Sequence, residues 1–209
     1  MFKIKNLKFK DILDIPELII DKQITCLVGP SGSGKTTLLK MLNGLNVPDS
    51  GKIFYNDQDI STVNFVNLRR SVVMLGQTPV IYGGDIKDNL LMGLKFSQKP
   101  LVLDSVLKEC LNRVGLNKDL EDSCSNLSGG EKQRLCLARV MLMDADTYLL
   151  DEPSAALDKD TERFIVENFI AFVKEKNKQL VMVTHSENIV KDFNPSVVVI
   201  KDGKVTEVR

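Results

Sequence analysis

The sequence predicts an α/β protein with a mainly parallel β-sheet, an N-terminal antiparallel β region and an inserted helical lobe. Two strand signals open the chain without a helix between them, and short apolar runs later alternate with helical patterns, as in parallel sheets. From about 78 to 142 the strand-like runs disappear and three helical patterns follow one another. We therefore expect one domain, with an α/β core at about 1–77 and 143–209 and a lobe at about 78–142.

Length and composition are those of an ordinary globular protein. The chain has 209 residues, of which 43% are hydrophobic and 27% charged. Lysine plus arginine (28) equals aspartate plus glutamate (28), so no basic surface points to a nucleic-acid partner. No apolar run approaches the roughly 18–20 residues that span a bilayer, and the start lacks the apolar block of a signal peptide. Four cysteines without a C-x-x-C pair favour reduced thiols, so we expect a cytoplasmic protein.

The first strands are predicted from alternation and from a short apolar run. Residues 2–9 alternate as in a two-sided strand. Residues 13–20 give a second strand, in which Pro16 indicates an edge or a break. The apolar run 24–28 is typical of a short buried strand.

A phosphate-binding loop follows that buried strand, with the spacing G-x-x-x-x-G-K-T. Its glycines let successive backbone N–H groups turn toward an anion, and the helix that begins here adds its own unpaired N–H groups. Lys35 can reach the outer phosphates of a nucleotide, and the Thr36 hydroxyl suits Mg²⁺. The predicted nucleotide contacts are Gly29, Pro30, Ser31, Gly32, Ser33, Gly34, Lys35, Thr36 and Thr37.

The remaining elements follow from turn residues and hydrophobic period. The helix after the loop is expected to end near Gly44, a natural helix-ending residue. Turn residues bound a strand at 52–55, and a strand at 71–75 leads to Gln77. Further along we predict helices at about 85–94, 102–114 and 129–142, strand 147–151, helix 158–176, strand 179–184, helix 186–192, strand 196–201 and a closing hairpin that turns at Asp202-Gly203.

Polar residues follow three predicted strands, at the edge where ligands collect on a parallel sheet. Asp151 suits Mg²⁺, directly or through water, and Glu152 could polarise a water for attack on a terminal phosphate. His185, the only histidine, is a candidate partner for a phosphate or an attacking water. The amide oxygen of Gln77 could contact the metal or a water. For Gln77 and His185 the residue pattern leaves a structural role equally open.

The start of the helix at 129–142 has two interpretations. Ser128 and Glu131 have the S-x-x-E spacing of a capping box, which only begins a helix. The adjacent Gly129 and Gly130 are not needed for a cap and would let an anion lie against the helix N-terminus. The residues alone do not decide between a cap and a second phosphate-binding surface.

Taken together, these stretches resemble the ATP-binding subunit of ABC transporters over nearly the whole chain. In the family's order, GPSGSGKT (29–36) resembles Walker A, Gln77 the Q-loop residue, LSGGE (127–131) the signature, YLLDE (148–152) Walker B, SAALD (154–158) the D-loop and His185 the switch histidine. The resemblance implies a P-loop NTPase core that binds ATP and Mg²⁺, with Thr36, Gln77 and Asp151 on the metal side.

The resemblance also implies an assembly. Two copies are expected to dock head to tail, with ATP between Walker A of one copy and Ser128, Gly129, Gly130 and Glu131 of the other. Glu152 would then act as general base or water-positioner. The lobe would dock on an integral-membrane permease through the surface near 78–96, which would place the subunit on the cytoplasmic face of the membrane. The apolar cluster 79–82 either contacts that partner or packs inside the lobe.

Four positions differ from the common family pattern. Adenine usually stacks on an aromatic residue upstream of Walker A, and Phe9 is the nearest candidate here. Ala155 stands where a serine is common, Ser186 where an aspartate is frequent, and Glu131 where glutamine is often seen. The catalytic residues Lys35, Gln77, Glu152 and His185 are all present, so ATP hydrolysis is expected.

The stretch QTPVIYGGDIKDNL resembles one that is common among exporters, and the short chain is similar to small bacterial ATPases of the iron-export, metal-resistance type. The expected function is an ATPase subunit that powers a separate permease. The alternatives are an importer ATPase for a metabolite or amino acid, a soluble ABC ATPase of DNA repair or of the ribosome, and a regulator that binds ATP without hydrolysing it. The chain has no room for a coiled-coil insertion and carries one cassette with zero net charge, which speaks against the soluble ABC ATPases. It retains Glu152 and His185, which speaks against a regulator that does not hydrolyse ATP.

Overall fold

The computed structural model describes residues 1–154 and 157–209, which form two β-sheets and seven α-helices. The strands are β1 (Phe2–Phe9), β2 (Leu13–Ile20), β3 (Ile24–Val28), β4 (Ser50–Tyr55), β5 (Gln58–Asp59), β6 (Val72–Leu75), β7 (Thr147–Asp151), β8 (Gln179–Val183), β9 (Ser196–Lys201) and β10 (Lys204–Val208). The helices are α1 (Lys35–Leu42), α2 (Phe65–Ser71), α3 (Ile86–Ser97), α4 (Asp104–Arg113), α5 (Gly129–Leu142), α6 (Lys159–Glu175) and α7 (Glu187–Phe193).

The N-terminal strands form an antiparallel sheet in the order β2-β1-β4-β5. Phe2, Ile4 and Leu7 of β1 are buried, and the alternation shifts by one residue after Ile4, where Asn6 has φ +49° and the pairing with β4 changes register. Strand β2, which contains Pro16, lies at the edge of this sheet, where a missing backbone donor costs no ladder hydrogen bond.

The second sheet has the order β10-β9-β3-β8-β7-β6 and is parallel except for the final β9–β10 hairpin. Its central strands are buried on both faces, which explains their continuous apolar runs. The α/β class, the mainly parallel sheet and the N-terminal antiparallel region are confirmed.

Helices α3, α4 and α5 lie between β6 and β7 in the chain and pack on one another. Their buried side chains join those of the parallel sheet in one hydrophobic cluster, so the two parts share a core. The four cysteines carry free thiols, as predicted. No helix in the described part of the chain has both the length and the hydropathy needed to cross a membrane.

One helix was missed by the sequence prediction, and another extends beyond its predicted end. Helix α2 was not predicted, and Ser71 belongs to it rather than to the following strand. Only Leu68 of α2 is buried, so the hydrophobic period is too weak to detect, although Asn64 caps the helix through its side chain. Helix α3 continues to Ser97, beyond the predicted 94, and ends at Gln98 in a left-handed conformation.

Candidate functional site

The register of the parallel sheet brings four strand ends to one edge. Strands β3, β8, β7 and β6 are consecutive neighbours. Leu27 and Asp151 both pair with Val183, so the ends of β3, β7 and β8 are level. The phosphate loop follows β3 and the polar residues follow the other three strands, so the sheet gathers all of the predicted catalytic groups.

The phosphate loop has a backbone that requires its glycines. Gly29, Gly32 and Gly34 have φ values of +145°, +77° and +100°. A Cβ at Gly29 would lie 2.0 Å from the carbonyl oxygen of Ile200, and one at Gly34 would lie 2.5 Å from Leu13 Cδ2. The loop is therefore built for close backbone approach.

Lys35 begins α1 and is buried at the centre of this loop, with 5% of its surface exposed. Its Nζ donates to the carbonyl oxygens of Gly29 (2.9 Å) and Pro30 (2.7 Å). Burial lowers the pKa of this ammonium, and the nearby carboxylates of Glu152 and Asp151 oppose that effect.

The loop lines a depression of about 330 Å³, which is polar and open to solvent. The depression is bordered by Ile12, Ser31, Gly32, Gly34, Lys35, Thr36, Thr37, Gln77 and Glu152. The hydroxyl of Ser33 is buried beside the loop and lacks a hydrogen-bond partner among the described residues. The N-terminus of α1, a buried ammonium and an unsatisfied hydroxyl together fit a polyphosphate.

Thr36 and Asp151 form the part of the site that fits Mg²⁺. The Thr36 hydroxyl donates to Asp151 Oδ1 over 2.9 Å. Asp151 is 2% exposed, and burial raises its pKa, although the Thr36 hydroxyl and the ammonium groups of Lys40 and Lys35 oppose this effect in part. A hydroxyl and a buried carboxylate oxygen are hard ligands of the kind that Mg²⁺ prefers.

Glu152 lies at the junction of three strand ends. Its backbone has φ +48° and its N–H donates to the carbonyl oxygen of Val183 (3.1 Å). Gln77 Nε2 donates to Glu152 Oε2 (3.0 Å), and His185 Nε2 lies 3.1 Å from Oε1. Gln77 thus meets the carboxylate through its amide nitrogen, whereas the sequence had suggested only a contact of its oxygen with metal or water. The three side chains form one cluster beside the phosphate loop.

The signature segment forms the capping box that its spacing predicts. The Ser128 N–H donates to Glu131 Oε2 (2.8 Å), and the Glu131 N–H donates to Ser128 Oγ (3.3 Å). Hydrogen bonding to Ser128, with a smaller contribution from Lys118, lowers the pKa of the Glu131 carboxyl to about 2. A Cβ at Gly129 would meet nothing within 4 Å, so this face of the helix end is open. Residues of the signature are absent from the described lining of the phosphate depression.

Three further predicted positions have different outcomes. Phe9 ends β1, is partly buried against the antiparallel-sheet core and is not among the residues that line the depression; its ring lies 5.2 Å from Lys10 Nζ. Ala155, the altered D-loop position, lies outside the described residues. In the apolar cluster, Val80 is 57% exposed, whereas Ile81 packs partly against the core. The adenine and partner contacts stay predictions.

Sequence reasoning missed Ile12, which borders the phosphate depression. Its carbonyl oxygen would lie 3.2 Å from a Cβ at Gly34. No local pattern marks this residue, because the β1–β2 turn reaches the loop only once the antiparallel sheet has docked on the parallel one.

A comparison with family profiles matches residues 17–155 to the profile described as ABC transporter. This stretch contains the phosphate loop, Gln77, the signature, Asp151 and Glu152. The chain belongs to the ABC transporter family. It is the ATP-binding domain of that family, with the family's α/β fold.

Relatives of this ABC domain include a phosphate import protein and other transport proteins. The phosphate import ATP-binding protein PstB 2 of Bacillus licheniformis is 35% identical over 204 residues, which cover 89% of this chain and 74% of the relative. The energy-coupling factor transporter ATP-binding protein EcfA2 of Spiroplasma kunkelii is 32% identical, with coverage of 96% and 69%. The mitochondrial ATP-dependent permease MDL2 of Saccharomyces cerevisiae is 33% identical, and the match covers 97% of this chain but only 26% of the permease.

Solved structures show the same fold. A bacterial Atm1-family ABC exporter with ATP bound superposes with a TM-score of 0.85 at 23% identity, over 99% of this chain and 38% of the exporter chain. An ATP-binding subunit of an ABC transporter also gives a TM-score of 0.85, at 21% identity, over 100% of this chain and 89% of that one.

Proposed function

We propose that this ABC domain hydrolyses ATP with the Glu152 cluster and that the hydrolysis drives transport through a separate integral-membrane permease. The observation that carries the proposal is the convergence of Gln77 and His185 on one carboxylate, beside a loop that fits a polyphosphate. A solely structural carboxylate would not need two hydrogen-bonding side chains from two other strand ends.

The residues have separate roles in this proposal. Lys35 and the inward N–H groups of the loop hold the outer phosphates of ATP. Thr36 and Asp151 would hold Mg²⁺, which when bound neutralises charge on the phosphate oxygens. Glu152 orients the attacking water and takes its proton, while His185 holds the terminal phosphate. Gln77 steadies Glu152 and, through its amide oxygen, faces the metal side.

Phosphate release from purified protein tests this assignment. Glu152→Gln is expected to bind Mg–ATP but to lower turnover by at least about 100-fold, as loss of a general base does. Lys35→Ala is expected to weaken nucleotide binding itself. Glu167→Gln and Lys174→Ala, which remove exposed charges of α6, serve as matched controls and should keep parental activity. Parental turnover in Glu152→Gln would refute the role of Glu152.

We further propose that ATP is shared between two copies arranged head to tail. The open helix end at Gly129 is not part of the lining of the phosphate depression, and a second copy would bring its Ser128, Gly129 and Gly130 to the nucleotide. The adenine would stack near Phe9, with Ile12 beside the loop.

The partner surface is proposed near residues 78–96 of the lobe. Val80 is exposed there, and Tyr82 forms an edge-to-face pair with Phe96, which is 65% exposed. An exposed apolar cluster of this kind fits a helix of a membrane protein. Purification from membranes should yield a multi-span protein whose presence raises ATP turnover, and Val80→Asp should abolish that rise. Purification with ribosomes or DNA instead would favour a non-transport function.

The direction of transport is proposed to be export, because QTPVIYGGDIKDNL resembles the stretch of exporters. Import is the second candidate, and it is favoured by the phosphate import relative, which matches most of this chain. Iron is the proposed cargo, because the same stretch resembles that of bacterial ATPases of the iron-export type. Transport of radiolabelled iron into inverted vesicles that contain the partner would support iron export. Uptake of a different solute into right-side-out vesicles would support import.

A further inference from the structure

We infer that Lys118 is a positioning residue of the shared nucleotide site, which offsets the negative charge of Glu131 so that a phosphate can approach the start of α5. The inference rests on the proposed function, in which the signature residues of one copy face the nucleotide held by another. It concerns Glu131, which stands in this chain where the signature segment often has glutamine.

Glu131 places a negative charge where a phosphate would bind. It lies in the first turn of α5, and its carboxylate accepts the N–H of Ser128 (2.8 Å) at the helix N-terminus. The contacts with Ser128 and Lys118 keep the carboxylate ionised at neutral pH, since together they lower its pKa to about 2. A carboxylate in this position competes with an incoming anion for the positive end of the helix dipole. Glutamine would complete the same capping box without the charge.

Lys118 neutralises the oxygen that the cap leaves free. Its Nζ lies 3.2 Å from Glu131 Oε1, whereas Oε2 is used by Ser128. The side chains of Lys118 and Glu131 are only 33% and 21% exposed, so solvent screens the pair less than a fully exposed one.

The segment that carries Lys118 is fixed to α5 rather than free. Arg134, one turn further along α5, donates from Nη1 to the carbonyl oxygen of Gly115 (3.0 Å). Leu116 is buried in the lobe core, and the N–H of Lys118 donates to its carbonyl oxygen (3.1 Å). The ammonium is therefore held at Glu131 before any nucleotide arrives, which is the condition for a positioning role.

This role is tested by titrating the Glu152→Gln protein with Mg–ATP and following dimer formation through the mass measured by light scattering. Lys118→Gln should raise the Mg–ATP concentration for half-maximal dimer by about three- to tenfold, as one unneutralised surface charge near an anion does. Lys118→Arg should keep the parental value. Lys108→Gln, which removes an exposed α4 charge without an ion pair among the described residues, is the matched control and should change nothing.

The double variant Lys118→Gln/Glu131→Gln separates this role from other ones. It should return the half-maximal concentration to the parental value or below, because the charge that Lys118 offsets is gone. In proteins with Glu152 intact, Lys118→Gln should raise KM with kcat unchanged, and added salt should shrink the difference. If Lys118 had only a structural role, Lys118→Gln would lower the stability of the protein, and the added Glu131→Gln change would not restore the half-maximal Mg–ATP concentration.

Two results would overturn the inference: no rise in Lys118→Gln, or an equal rise in the presence and absence of Glu131. Failure of the proposed function is recognised separately. If the Glu152→Gln protein forms no Mg–ATP-dependent dimer before Lys118 is changed, the shared site itself is wrong and the role of Lys118 falls with it.

Discussion

Asp151 shows how a functional residue can act against the stability of the empty protein. It is a buried carboxylate with a raised pKa and a single hydroxyl partner, Thr36. An acid whose pKa is raised in the folded state reduces stability as pH rises from its unfolded-state pKa through its folded-state pKa. Magnesium binding would reduce this cost by adding positive charge at the carboxylate.

We therefore predict that Asp151→Asn abolishes Mg²⁺-dependent ATP hydrolysis and at the same time raises Tm in the absence of nucleotide. An increase of about 2–4 °C corresponds to about 1 kcal/mol in a domain of this size. Thermal denaturation at pH 7, with and without Mg²⁺, is the measurement. A lower Tm than that of the parent would show that Asp151 stabilises the empty fold, contrary to the desolvation argument.

Gly29 is the residue of the phosphate loop at which the geometry tolerates a side chain least. Gly29→Ala combines a φ of +145° with a Cβ only 2.0 Å from the backbone oxygen of Ile200. We expect it to destabilise the protein by more than about 2 kcal/mol and to abolish nucleotide binding. Gly129→Ala, with open space around its Cβ, is the control and should be stable in urea titrations. Equal stability of the two variants would contradict the close approach of β9 to the loop.

At the scale of single residues, the chemical roles of the site residues could be predicted better than their contacts. Lys35, Thr36, Asp151 and Glu152 could be identified because their residue types and spacing are specific. The amide orientation of Gln77 and the position of Ile12 could not, since both depend on how separate strands and turns dock.

Helix α5 is the element whose sequence determines its structure most fully. Its predicted range matches the observed one, because Ser128 and Glu131 form the cap and an apolar face follows. Helix α2 shows the opposite case, as a helix with a single buried side chain leaves no period to detect. Element prediction thus succeeded for α5 and failed for α2, although α7, in which only Ile189 is buried, was predicted.

The cap of α5 makes a pH-dependent contribution to stability. Because the pKa of Glu131 is about 2 in the fold and ordinarily 4.5, the contribution is complete above pH 4.5 and is lost as pH falls through 2. We predict that Glu131→Gln flattens the fall in unfolding free energy between pH 4.5 and 2, measured by urea denaturation. Glu167→Gln, exposed on α6, should retain the parental slope. An unchanged slope in Glu131→Gln would show that the capping bonds do not favour the ionised form.

On the scale of the whole molecule, the motifs divide between two surfaces. The phosphate loop, Asp151, Glu152, Gln77 and His185 meet at one edge of the parallel sheet, while the signature begins a helix in the lobe. The fold class could be predicted because strand and helix patterns alternate. The use of the signature could not be derived from one chain, because its ligand would be held by another copy.

The shared site is tested most directly by the mass of the Glu152→Gln protein in solution. With Mg–ATP, light scattering should give twice the 23.4 kDa of one chain, and without nucleotide, or with Lys35→Ala added, it should give the monomer. A monomer that binds Mg–ATP fully and stays at 23.4 kDa would contradict the proposal that a second copy completes the site.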